Sequence, residues 1–191
     1  MPYTGPVADT HIHIQPWYQL DPKVLAIMRR NRPDMDLIER CIASPEVLLG
    51  FLDECGLQRA LLVNYPSPTI MGFDLSVNDF VGKYVRGHED RLIACGGILP
   101  SLVPDIRGYL HHLVHDLGIR CLKLHPPHQR LAPNAYLTGD EPRLAEVYEV
   151  ASDLKIPVMI HTGTSIFPGA RSRFGDPMPI DDVAVDFPDL T

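Results

Sequence analysis

Two histidines near the start of the chain have the residue type and spacing that metal chemistry requires. They interrupt the apolar run VADTHIHI, residues 7–14. Residues i and i+2 of a β-strand point to the same face, so His11 and His13 are predicted to present two imidazoles side by side. Two neutral imidazoles form half of a divalent-metal site, and Asp9 is placed to orient one ring. The alternative is one hydrogen-bonded core histidine and one exposed histidine.

Two further apolar segments end in side chains that could meet this pair. In CLKLHPP, residues 121–127, Lys123 and His125 share a face by the same two-residue rule. A lysine inside an apolar strand either lies at a frayed surface end or has its charge or pKa adjusted inside a site. His161 ends the run VMIH, residues 158–161, and is placed to reach a metal held by the first strand.

Strands and helices that alternate along the chain must position these side chains. Each strand segment is apolar nearly throughout, so we expect parallel strands that are buried on both faces. No glycine-rich phosphate-binding turn follows the first strand, which favours a (β/α) barrel over a doubly wound sheet. The predicted strands are 7–14, 59–64, 92–98, 120–124 and 157–161. The predicted helices between and after them are 45–56, 74–86, 104–117, 141–154 and 180–187.

An additional segment, about residues 16–43, follows the first strand directly and contains two predicted helices, 22–30 and 35–41. Its place beside the paired histidines predicts a lid. We expect residues 1–191 to form one domain with this insertion.

Composition narrows the class of protein. The 191 residues are 45% hydrophobic with a net charge of −7, which argues against nucleic acid or an anionic membrane as a partner. Residues 1–6 lack the basic and apolar segments of a signal peptide, so a cytoplasmic location is expected. The four cysteines lack C-x-x-C spacing and are expected to be buried, reduced thiols. They are Cys41, Cys55, Cys95 and Cys121.

The motifs Asp-Thr-His-Ile-His, Lys-Leu-His-Pro and Ile-His-Thr-Gly together resemble the amidohydrolase superfamily, in particular its amidohydrolase-related branch of hydrolases, non-oxidative decarboxylases and hydratases. The resemblance implies an α/β fold of the (β/α)₈ TIM-type barrel. It implies that His11, His13 and His161 match three metal-ligand positions, with zinc expected and manganese as the alternative. It also implies that Lys123 is either a carbamylated, metal-bridging residue or a substrate contact.

The chemistry implied is that of a metal-activated water or a metal-polarised substrate, acting on a small carboxylate, amide, ester or lactone. Trp17 either contacts substrate or packs as an ordinary core residue. Charged loop residues either hold a carboxylate or are simply solvated, as expected for His128. A small-molecule substrate is the expected partner, and a homo-oligomer is compatible with the sequence. The candidate substrate-binding residues are Trp17, His125, Thr162 and Arg171.

The resemblance also implies two groups that this chain does not supply, a histidine after strand six and an aspartate after strand eight. The strand spacing predicts a sixth strand just past residue 191, so we expect about five of eight βα units and a C-terminally incomplete barrel. Two alternatives stay open. A histidinol-phosphatase-like metal phosphoesterase would need ligands on strands two and three, where 59–64 and 92–98 offer none. The other alternative is an inactive fragment.

His111 and His115, four residues apart, are interpreted as a solvated helix face.

Overall fold

A computed structural model describes residues 5–30 and 32–191. Its five strands are parallel and hydrogen-bonded in chain order, and they form a curled half-barrel. Each strand lies inside its predicted range, so the predicted α/β class and barrel-type architecture of about five units are confirmed. The strands are β1 (Ala8–Ile12), β2 (Arg59–Val63), β3 (Leu92–Gly97), β4 (Cys121–Leu124) and β5 (Val158–Ile160).

Helices connect successive strands, and hydrogen bonds from capping side chains mark where two of them begin. The Ser44 hydroxyl accepts a hydrogen bond from the Val47 backbone nitrogen at 3.3 Å, and Pro45 occupies the first turn. Asp105 caps a later helix by accepting from the Gly108 nitrogen at 2.9 Å. The helices are α1 (Pro22–Arg29), α2 (Met35–Ala43), α3 (Pro45–Glu54), α4 (Ser76–Val85), α5 (Ile106–His115), α6 (Pro126–Gln129), α7 (Ala135–Thr138), α8 (Leu144–Asp153) and α9 (Pro179–Asp186).

The two faces of the curled sheet carry different side chains. Leu62, Leu92 and Leu122 are fully buried in the main core, which includes buried residues of the surrounding helices. Val63 and Cys95 belong to a second, smaller cluster that alternates with the first along the strands. Polar side chains that follow these inner-face positions therefore emerge at the carboxyl ends of the strands, inside the curve.

Two expectations about burial are wrong. β1 is exposed or half-buried along its length and β5 is half-buried, because within the described residues each is hydrogen-bonded to one neighbouring strand only. Cys55 is exposed where it ends α3, whereas the other three cysteines are buried, and all four are free thiols. The solvated helix face is confirmed, since His111 and His115 are both exposed on α5.

The segment 16–43 contains α1 and α2. Leu20 and Val24 pack against Met71 and Phe73, and Met28 reaches the cavity described below. A lid function for this segment stays a prediction, and its residue Asn31 lies outside the described residues, as do residues 1–4 used in the signal-peptide prediction. Among the residues that are described, none of the helices has the length and apolarity needed to cross a membrane.

Candidate metal and ligand site

A cavity of about 320 Å³ opens at the carboxyl ends of the strands. The ends of β1, β2, β4 and β5 each supply polar side chains to it, because inner-face positions continue past each strand end. Apolar side chains from the 16–43 segment, from the loop after β2 and from the loop after β5 form the remaining wall. The lining residues are His11, His13, Gln15, Met28, Tyr65, Met71, Lys123, His125, His128, His161 and Phe167.

The paired histidines of the first strand meet as predicted. The Nε2 atoms of His11 and His13 lie 3.2 Å apart, and the Nδ1 atom of His13 lies 3.0 Å from the Val63 carbonyl oxygen. Two nitrogens bound to one tetrahedral zinc at 2.0–2.1 Å are about 3.3 Å apart, so the pair has the separation of two ligands on one ion. The carbonyl holds the His13 ring in the way that bonded neighbours orient metal-binding histidines.

Asp9 bonds the backbone rather than a histidine ring, which the sequence had predicted it to orient. Its carboxylate accepts a hydrogen bond from the backbone nitrogen of His11 at 2.8 Å and so fixes the strand rather than a ring. Partial burial lowers the pKa of His11, and burial together with His11 lowers the pKa of His13 to about 4, although both residues keep exposed surface. Both rings are therefore neutral at pH 7, the form in which imidazole binds a metal.

Lys123 lies on β4 with its side chain 1% exposed, so the surface position considered from the sequence is wrong. Its ammonium nitrogen makes no hydrogen bond or ion pair with any residue that the structure describes. Burial lowers the pKa of Lys123, an effect that the nearby thiols of Cys95 and Cys121 partly oppose. The site thus contains a buried amine without a carboxylate partner.

Three imidazoles stack along one side of the cavity. The centroid of the His125 ring lies 3.6 Å from the centroid of the His128 ring and 3.9 Å from that of the His161 ring. The corresponding interplanar angles are 14° and 12°. The Tyr65 hydroxyl and the Nδ1 atom of His128 lie 2.8 Å apart, and the Nε2 atom of His128 lies 2.7 Å from the Ser165 hydroxyl. Burial and the neighbouring imidazoles lower the pKa of His125 to about 2 and that of His128 to about 4.

His161 reaches the cavity but does not complete a metal site in this structure. Its Nε2 atom lies 3.3 Å from the Thr164 carbonyl oxygen while its ring stacks on His125. Accordingly, no group of three or more His, Cys, Asp or Glu side chains among residues 5–30 and 32–191 is arranged to hold a metal ion. The described residues therefore fit a metal with two ligands, and the ligand role of His161 stays a prediction.

Three predicted substrate contacts lie outside the cavity wall. Trp17 packs beside the cluster that contains Leu20 and Met71, which supports its interpretation as a packing residue. Thr162 and Arg171 are exposed. The backbone nitrogen of Arg171 donates a hydrogen bond to the Pro127 carbonyl at 3.2 Å, which links the loop after β5 to α6. Their substrate contacts stay predictions, whereas His125 does line the cavity.

Sequence reasoning missed Gln15 and Tyr65, and it interpreted His128 as a solvated loop residue. Gln15 follows His13 by two positions and Tyr65 follows Val63 by two, so extending the strand-end rule to both would have found them. His128 carried no such signal, since the α6 turn rather than strand periodicity brings it into the cavity.

Solved structures share this architecture. The chain is similar to 2,6-dihydroxybenzoate decarboxylase from Rhizobium, with a TM-score of 0.67 and 16% identity over 97% of this chain and 64% of that chain. It is similar to 5-carboxyvanillate decarboxylase from Novosphingobium aromaticivorans complexed with manganese and 4-hydroxy-3-methoxy-5-nitrobenzoic acid, with a TM-score of 0.65 and 15% identity over 97% and 62%. It is also similar to 4-oxalomesaconate hydratase from Rhodopseudomonas palustris, with a TM-score of 0.57 and 18% identity over 97% of this chain and 61% of that chain.

These likenesses, all below 25% identity, establish the fold, and this chain spans less than two thirds of the length of each of the three structures. No protein of curated function matches the sequence. The Amidohydro_2 family model, described as amidohydrolase, matches residues 71–191, more than half of the chain. With the half-barrel and its strand-end histidines, this match shows that the chain belongs to the amidohydrolase family.

Proposed function

We propose that the chain carries the metal-binding part of an amidohydrolase-type enzyme, a metal-dependent hydrolase or non-oxidative decarboxylase that acts on a small carboxylate, amide, ester or lactone. The observation that carries this proposal is the 3.2 Å approach of the His11 and His13 Nε2 atoms, with His13 anchored on the Val63 carbonyl. Two neutral rings held in this way are arranged to bind one ion.

His11 and His13 would hold the metal, and His161 is the candidate third ligand. Zinc suits imidazole ligands, while the manganese in the 5-carboxyvanillate decarboxylase complex makes manganese the alternative. A bound metal would lower the pKa of a water molecule or polarise a substrate oxygen.

Lys123 has two candidate roles in the proposed reaction. As an ammonium group it would bind an anionic part of the substrate, because a buried cation without a carboxylate partner is stabilised by an anion. As a neutral amine, which its lowered pKa favours, its Nζ atom would add carbon dioxide from solution and release one proton to form a carbamate. His125 presents an unpaired Nδ1 atom as a further substrate contact.

The apolar part of the cavity supports a substrate with a planar or hydrophobic body. Met28, Met71 and Phe167 line it, and two of the similar solved structures are decarboxylases of aromatic acids. We therefore place small aromatic or unsaturated acids first among the candidate substrates. A cytoplasmic location and self-association stay predictions from the sequence.

The phosphoesterase alternative receives no support from the geometry. β2 and β3 carry no histidine, aspartate or glutamate, so neither strand supplies the additional ligands that such an enzyme would need. The inactive-fragment alternative is decided by the experiment below.

Metal binding by purified variants tests the proposal. Wild type, the His11→Ala/His13→Ala variant and the His111→Ala/His115→Ala variant are dialysed against zinc or manganese, and retained metal is measured by mass spectrometry. The control pair lies exposed on α5 with ring centroids 5.4 Å apart. Wild type and the control should retain metal, and the first variant should lose at least tenfold in metal affinity, because both proposed ligands are removed. Equal retention by all three chains would contradict the ligand assignment, and no retention by wild type would support the inactive fragment.

A further inference from the structure

Gln15 carries a buried amide nitrogen that none of the residues described by the structure satisfies. The residue is 4% exposed, its Nε2 atom is buried, and its side-chain amide makes no hydrogen bond with the residues that the structure describes. An unpaired buried amide destabilises the folded state, since the hydrogen bonds it makes with water in the unfolded chain are lost. In a cavity wall such a group takes its partner from outside the chain, either an ordered water or a ligand that displaces it.

The backbone around Gln15 is held on both sides. The Asn64 side-chain nitrogen donates to the Ile14 carbonyl at 2.9 Å, and the Trp17 backbone nitrogen donates to the Gln15 carbonyl at 2.9 Å. Two positions after His13, the side chain is thereby presented to the same cavity as the histidine pair. The backbone that carries the carboxamide is therefore held in place, two residues along the chain from a proposed metal ligand.

The groups left unpaired in this cavity define the chemistry of their partner. Alongside the Gln15 amide nitrogen they are the Lys123 ammonium nitrogen and the His125 Nδ1 atom. Two of these are donors, and the described residues that line the cavity include no carboxylate that could pair with them. A ligand that pairs with both donors carries acceptor oxygens, and the Lys123 cation favours an anionic one.

We propose that Gln15 is a specificity-determining residue, whose carboxamide hydrogen-bonds a hydroxyl or carbonyl oxygen that the substrate carries in addition to its anionic group. This inference rests on the proposed function, because it assumes that the substrate binds in this cavity. It assigns to Gln15 the discrimination between a simple acid and the same acid with one further oxygen substituent.

A stability comparison tests the first half of the inference without any ligand. Gln15→Met keeps the side-chain volume and removes the unpaired amide, so its Tm should rise by about 2–4 °C. Gln129→Met is the matched control. The Gln129 amide is satisfied, donating to the Pro66 and Ile98 carbonyls and accepting from the His125 nitrogen, so the control should lower the Tm. A Tm for Gln15→Met that falls as far as that of the control would overturn the inference.

A binding comparison tests the second half. Benzoate and 2-hydroxybenzoate, which differ by one hydroxyl, are titrated calorimetrically into the manganese-loaded full chain and its Gln15→Met variant. We expect wild type to prefer the hydroxy acid by about tenfold and the variant to lose this preference while binding benzoate unchanged. A preference that persists in the variant would overturn the inference. If neither acid binds wild type, the substrate class proposed above is wrong, and the Tm comparison alone decides the status of Gln15.

Discussion

Acidification from about pH 7.5 to about 5.5 is expected to destabilise the metal-free chain through two buried histidines. His125 and His128 are 7% and 3% exposed, and burial and neighbouring imidazoles lower their pKa values from 6.5 to about 2 and about 4. Both rings remain neutral in the folded chain across this interval, whereas the unfolded chain takes up a proton on each below pH 6.5. Stability is therefore fully present above about pH 6.5 and is lost as the pH falls below it.

The size of this destabilisation follows from the lowered pKa values of His125 and His128. Each proton taken up on unfolding changes the free energy of unfolding by about 1.36 kcal/mol per pH unit. At pH 5.5, about one unit below the unfolded pKa, each histidine costs about 1.4 kcal/mol, and at pH 7.5 the cost is about zero. Together the two rings should lower the free energy of unfolding by about 2–3 kcal/mol. His13 is left out of this sum because water screens its exposed edge.

Urea unfolding followed by circular dichroism, with a chelator present, measures this difference. His128→Gln removes one titrating ring, so the loss between the two pH values should shrink to about half. His111→Gln/His115→Gln, which alters exposed rings on α5, should leave it unchanged. A wild-type stability that is constant between pH 7.5 and 5.5 would refute the argument that the stacked rings are held neutral.

Three further substitutions have defined outcomes in urea unfolding at neutral pH. Lys123→Met should raise the free energy of unfolding, because it removes a buried amine without a charge partner, and the gain should shrink as the pH rises toward 10; a loss of stability would contradict its lowered pKa. Asn78→Ala should cost about 2–3 kcal/mol, since the buried side chain bonds both the nitrogen and the carbonyl of Gly97 at 2.9 Å; a loss below 1 kcal/mol would contradict this. Tyr148→Phe should cost about 1–2 kcal/mol, because its hydroxyl donates to the Pro133 carbonyl at 2.8 Å, and an unchanged stability would show that the bond contributes nothing.

Much of the fold and part of the site followed from local patterns. Apolar runs separated by capped helical segments predicted all five strands, because parallel strands buried on both faces need such runs. The two-residue periodicity of a strand placed His11 beside His13 and turned Lys123 inward. Burial on both faces was wrong for β1 because exposure depends on which strands lie beside it, and a strand's own sequence does not specify its neighbours.

Contacts between distant segments were beyond the reach of such patterns. The Tyr65 hydroxyl meets His128 across a separation of 63 residues, and the His125 ring stacks between the rings of His128 and His161. No periodicity couples these positions. Their approach depends on the turn that starts α6 and on the packing of neighbouring loops.

The sequence by itself determined which strands supply the reactive side chains, namely a histidine pair at the end of β1, a lysine on β4 and a histidine after β5. Side-chain direction within a strand is a local property, so the pattern of residues is enough to predict it. Only the tertiary structure decided which polar atoms are paired. It gave His13 the Val63 carbonyl, turned His161 toward Thr164, and left the amide nitrogen of Gln15 without a partner among the described residues. Hydrogen-bond partners come from segments far apart in the chain, and their positions follow from packing the whole fold.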